Sequence, residues 1–127
     1  MTGYGRTWIV VLDEAGARFL RREPTGEWMP AATKIDVQSS AATPEERRQT
    51  REHLLREAMR TVDTACGTNQ CDSLVVVAPE RLLGRFRSTA TDRVRTRLWR
   101  ERAAEAGSLS DMEIGESVEA YFRQPRR

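Results

Sequence analysis

At 127 residues the chain has the length of one ordinary domain, 1–127, long enough to bury roughly two thirds of the surface its unfolded form would expose. Hydrophobic residues make up 39% and charged residues 31%, a densely ionic surface around a modest core, which argues against disorder through the middle. A net charge of +2 is too small to imply a nucleic-acid partner by itself, so the positions of the charges decide.

Trp8, Ile9, Val10, Val11 and Leu12 form a nearly continuous, β-branched apolar run, which predicts a central strand buried on both faces. The run is too short for a signal-peptide core or a membrane span, so a cytoplasmic protein without membrane contact is expected. Asp13 to Gly16 reads as a turn. After it, Ala17 and Phe19 alternate with Arg18, Arg21 and Arg22 as a half-exposed second strand. Pro24 to Gly26 supplies another turn, Glu27 to Ala31 a third strand, and Lys34 to Val37 a short continuation or edge piece.

Thr43, Pro44 and Glu46 place an N-cap, a proline at the first helical position and a glutamate at the third, the makings of a capping box. Leu54, Leu55, Ala58, Met59 and Val62 recur at helical spacing, so a helix is expected from about Pro44 to Cys66, with Gly67 as its left-handed terminator. Its five arginines balance five acids, which reads as a solvated face.

Leu74 to Ala78 is a second buried run, bounded by Ser73 and Pro79, and reads as a strand leading into a helix. On that helix Leu82, Leu83 and Phe86 share one side, with Arg81 and Arg85 opposite. An unbroken helix to Ala106 would carry Arg93, Arg97 and Arg100 back onto the apolar stripe, so a break near Ser88 to Thr91 is required. Beyond it, Val94, Leu98 and Trp99 fit a short helix passing into an edge strand, and periodicity alone does not choose helix or strand for 93–103. Ser110 and Glu113 make a second capping box, Ile114, Val118, Tyr121 and Phe122 line one face of a last helix, and about 123–127 is a basic tail. The fold class expected is α/β: a single domain with a mixed β-sheet covered by helices.

Catalytic constellations need converging groups, and the single His53 lies inside the long helix between Glu52 and Leu54, a flank position. Cys66 and Cys71 match neither a disulfide framework nor a zinc or redox spacing, so two reduced thiols are expected. No metal site, no cofactor and no catalytic residue is expected; Gly3 and Gly5 precede the first strand and so do not form a phosphate loop. Asp13 and Glu14 follow the central strand, where α/β ligand sites tend to lie, and are the candidate ligand-site residues, although acidic residues are also ordinary turn formers.

The strongest signal is charge. From Pro79 to Arg102 eight arginines face three acids, a net +5, and from Ala103 to Phe122 five acids stand with no basic residue, a net −5. Either the two segments fold face to face as structural ion pairs, or they point apart and leave a basic patch for phosphate backbones. Phe86 belongs to the apolar stripe of its helix, so Trp99 is the one aromatic residue inside the patch suitable for base stacking, which favours backbone or shape recognition. The candidate binding residues are Arg81, Arg85, Arg87, Arg93, Arg95 and Arg97.

The opening Trp8-Ile9-Val10-Val11-Leu12-Asp13 with Ala17-Arg18-Phe19, and the later Asp72-Ser73-Leu74-Val75-Val76-Val77-Ala78-Pro79 with Leu82-Leu83-Gly84 and Phe86-Arg87, resemble the bacterial host attachment protein family. That family is similar in fold to the middle domain of archaeal and eukaryotic peptide-chain release factors. The resemblance covers most of the chain and implies a release-factor-like fold. The release-factor middle domain carries a Gly-Gly-Gln loop before a long helix; the corresponding Gln38 to Glu46 here lacks it, as does the rest of the chain, so peptidyl-tRNA hydrolysis is not carried over. The expected function is a non-catalytic module associated with the ribosome or structured RNA. The alternative is a protein-interaction module, as a homodimer or a subunit of a larger assembly, linked indirectly to host or surface attachment.

Overall fold

Two runs of apolar residues set the layout by lying side by side in the middle of one sheet. The structure is a computed structural model and describes residues 5–37 and 43–123. Five strands, β1 (Thr7–Asp13), β2 (Gly16–Arg22), β3 (Trp28–Asp36), β4 (Ser73–Ala78) and β5 (Leu98–Ala103), stand in the order β3-β2-β1-β4-β5. β1 pairs antiparallel with β2 and parallel with β4, β2 pairs antiparallel with β3, and β4 pairs parallel with β5, so the sheet is mixed.

Every residue of β4, and every residue of β1 except Asp13, is buried, as continuous apolar runs require when both sheet faces are covered. Trp8, Val10 and Leu12 pack with Leu74 and Val76 beneath α1 (Pro44–Gly67), α2 (Glu80–Thr89) and α3 (Asp92–Arg97). Ile9, Val11, Val75 and Val77 face the other way, beneath α4 (Asp111–Val118) and the 3₁₀ segment Glu119–Arg123 that follows it. The period-two alternation of a strand is what divides one run of sequence between two cores. The α/β class with helices over both faces of a mixed sheet is thereby observed.

The helix starts follow their caps. Thr43 Oγ1 accepts from Glu46 N at 3.1 Å and donates to the Glu46 carboxylate, while Ser110 and Glu113 form a complete reciprocal box. α2 stops at Thr89, and Thr91 then caps α3 by accepting from Val94 N at 3.2 Å, so the break falls where continuation would have buried arginine. Residues 93–103 are both things in turn, α3 to Arg97 and then the edge strand β5.

Three details differ from the sequence reading. The third strand is one piece, Trp28–Asp36, with register irregularities near Phe19 absorbing the interruption around Ala32. Gly67 does not take the left-handed conformation; Asn69 does, at φ 62°, two residues later. Gly67 instead leaves room for a guanidinium, since a Cβ there would lie 2.1 Å from Arg93 Nη1. The last helix also ends earlier than its apolar stripe, at Val118, so that Tyr121 and Phe122 sit half-buried in the 3₁₀ segment. Of the basic tail, Arg123 closes that segment and 124–127 lie outside the described residues, as do Gly3 and Gln38–Ala42.

Phe86, 1% exposed, anchors α2 to the sheet. Phe86→Ala is expected to lower unfolding free energy by about 3–5 kcal/mol, measured by urea denaturation.

Candidate nucleic-acid interface

α2 buries Leu82, Leu83 and Phe86 against the sheet, and the 100° rotation per residue then puts Arg81, Arg85 and Arg87 on its exposed side. Arg93 and Arg95 are likewise exposed on α3 around the buried Val94, and Arg97 is half-buried at its end. The six candidate arginines therefore lie along two consecutive helices on one side of the sheet. They do not converge on one point.

Most are already engaged. Arg81 lies 3.2 Å from Glu14 and 3.6 Å from Glu105; Arg87 donates to Glu101 at 3.1 Å; Arg93 lies 3.8 Å from Asp63. Arg95 bonds Asp92 at 2.9 Å and the Ala90 carbonyl at 2.8 Å, and Arg97 donates to the Arg93 carbonyl at 3.2 Å. Arg85 is different: it makes no ion pair or side-chain hydrogen bond among the described residues.

The acidic segment that follows does not account for this pairing. Glu105 alone of its acids reaches the candidate arginines. Asp111 pairs with Arg18 at 3.0 Å and Glu119 with Arg22 at 3.1 Å, both on β2 at the opposite sheet face, and Glu119 also accepts from the Trp28 indole at 3.2 Å. Glu113 is spent on capping Ser110. The two charged segments thus neither lie face to face nor stand wholly apart.

Arg85 opens onto a groove between α1 and α2 with a volume of about 480 Å³. Leu55 and Met59 line its base, Arg56 and Arg60 stand on the α1 wall, and Arg85, Ser88 and Thr89 stand on the α2 wall. Arg56 also has no charged partner among the described residues, while Arg60 lies 3.4 Å from Glu57. Sequence reasoning passed over Arg56 and Arg60 because the balanced charge of α1 averages them away. Their four-residue spacing, which puts both on one helix face, was the available signal.

Asp13 and Glu14 sit at the β1–β2 turn. Asp13 Oδ1 accepts from Ala15 N at 2.7 Å and Gly16 N at 2.9 Å, which closes the turn. Glu14 stands between Arg81 and Arg51, at 3.2 Å and 3.6 Å. Both carboxylates therefore have structural work, and neither points into the α1–α2 groove. His53 is exposed on α1. Cys66 and Cys71 are buried free thiols; a hydrogen bond between them holds Cys66 below the ordinary thiol range and, with burial, pushes Cys71 above it. No cluster of three metal-ligating side chains occurs among the described residues, and no helix among them is long and apolar enough to cross a membrane.

With this geometry, residues 24–118 match the family model of bacterial archaeo-eukaryotic release factor family 12. The chain belongs to that family. The release-factor side of the resemblance seen in the sequence is the side this match carries. Among solved structures, this release factor family member is similar to an archaeal protein, with a TM-score of 0.56 at 9% identity over 94% of this chain and 38% of the other. It is also similar to an archaeal translation termination factor, aRF1, with a TM-score of 0.55 at 8% identity over 94% of this chain and 39% of that one. At such identities the likeness shows the fold alone, and the family 12 chain spans about two fifths of either structure. No curated protein matches it in sequence.

The Arg87–Glu101 pair links α2 to β5, and the hydrogen bond from Arg87 holds the Glu101 carboxyl below the usual carboxylate range. A folded-state value below the unfolded one means the link stabilises above the ordinary glutamate range and is lost as pH falls through the lowered value. Arg87→Ala is expected to raise the Glu101 value towards that of a free glutamate, followed by NMR titration of the side-chain carboxyl.

Proposed function

We propose that the chain is a non-catalytic, release-factor-like module that acts in the cytoplasm and binds the ribosome or other structured RNA through its α2–α3 face. Arg85 is the centre of that contact, with Arg81, Arg87, Arg93, Arg95 and Arg97 around it. The observation that carries the reading is the exposed Arg85 guanidinium, unpaired among the described residues and facing the likewise unpaired Arg56 across a groove. An exposed cation without a neighbouring acid is free to replace counterions on a phosphate backbone, whereas the paired arginines around it must first exchange a partner.

Membership in a release factor family and the fold shared with part of a termination factor support translation as the setting. The Gly-Gly-Gln tripeptide is absent from the sequence, which supports binding without hydrolysis.

A second reading rests on the sheet edges. β3 and β5 are the outer strands, and Met29 on β3 and Met112 on α4 are large apolar side chains 44% and 73% exposed. Such features suit a homodimer or a subunit of a larger assembly, connected to host or surface attachment only indirectly.

Co-sedimentation with ribosomes across a salt series separates the two. RNA binding predicts that log affinity falls linearly with log salt, and that Arg85→Ala flattens the slope by about one phosphate contact. Absence of co-sedimentation at low salt overturns the RNA reading, and a stoichiometric protein partner that survives nuclease treatment establishes the second.

A further inference from the structure

The groove between α1 and α2 has features that phosphate binding alone does not call for. Its base is apolar, made by Leu55 and Met59, and its acids already have cationic partners: Glu52 has Arg48 at 2.9 Å, and Asp63 has Arg93 at 3.8 Å besides the Thr91 hydroxyl at 2.7 Å. The charge left available is that of Arg56 and Arg85, one on each wall. Ser88 Oγ and Thr89 Oγ1 each donate to the Arg85 carbonyl at 3.0 Å, so their protons are committed and only their lone pairs remain to be offered. At about 480 Å³ the groove falls within the roughly 300–1,000 Å³ of small-molecule sites.

A ligand suited to this arrangement is anionic at one end, flat and apolar in its body, and equipped with an N–H donor. We propose that the groove seats a single unpaired nucleotide of RNA, with its phosphate on Arg56 and Arg85, its base against Leu55 and Met59, and a base N–H donating to Ser88 or Thr89. The inference rests on the RNA reading and adds to it that the module contacts an unpaired position rather than backbone alone. Among the described residues no aromatic ring lines the groove, so the base is held by dispersion against a leucine and an adaptable methionine, and little discrimination among bases follows.

The test uses the full chain with three probes: an RNA hairpin whose loop carries unpaired adenosines, a blunt RNA duplex with the same number of phosphates, and adenosine monophosphate alone. Ser88→Tyr at an exposed position fills the groove, and circular dichroism checks that the variant folds. The hairpin is expected to bind about tenfold more tightly than the duplex, and S88Y to lower hairpin affinity by more than duplex affinity, so that the roughly tenfold advantage is lost. Adenosine monophosphate is expected to shift the Leu55 and Met59 methyl resonances in the parent chain and not in S88Y.

Equal binding of hairpin and duplex, or equal loss of both in S88Y, overturns the nucleotide seat and leaves the RNA reading standing. Methyl shifts with adenosine monophosphate but no retention of either RNA support the nucleotide chemistry of the groove and overturn RNA as its source. No response to any probe overturns both.

Discussion

The parallel pairing of β1 with β4 is the constraint from which the rest of the molecule follows. Both strands are apolar on both faces, so each face must be covered, and α1, α2 and α3 cover one while α4 covers the other. Parallel alignment also brings the carboxyl ends of β1, β4 and β5 to the same edge of the sheet. Glu14, Arg81 and Glu105, each just beyond one of those strands, meet there for that reason.

That meeting explains why an arginine-rich stretch does not become a uniformly basic surface. Acids distant in sequence are delivered by topology to the arginines of α2 and α3: Glu14 from the first hairpin, Asp63 from α1, Glu101 from β5. Exposed pairs of this kind add little stability individually, but they cancel field. Among the described residues, the two helix walls of the groove keep Arg56 and Arg85 without an acid to answer them.

Much of this was readable from the chain. The two apolar runs, the Thr43 and Ser110 caps (of which only Ser110 with Glu113 closes the full reciprocal box) and the break after α2 are specified by local chemistry. The break is the most informative, because it came from the cost of burying Arg93 and Arg97 and not from any turn signal. The terminator of α1 is not legible locally: glycine's tolerance of positive φ points to Gly67, while the chain turns at Asn69 and uses Gly67 for space. The groove was invisible for a different reason: its walls come from helices some thirty residues apart, and no periodicity within either one records the other. The partners of Arg18 and Arg22 were hidden in the same way, since Asp111 and Glu119 reach β2 only after α4 folds across the far face of the sheet.

Gly67 gives position 67 an influence beyond its own size. The Arg93 guanidinium passes over the end of α1 through the volume a side chain would occupy, and this path brings it towards Asp63. The obstructed atoms belong to the tip of a flexible side chain, so a larger residue at 67 would swing that tip aside without disturbing the backbone. The charge of Arg93 would then turn from an internal acid to solvent. A single uncharged position thereby governs how much positive potential the α3 side of the molecule presents, and it does so by steric gating rather than by adding or removing charge.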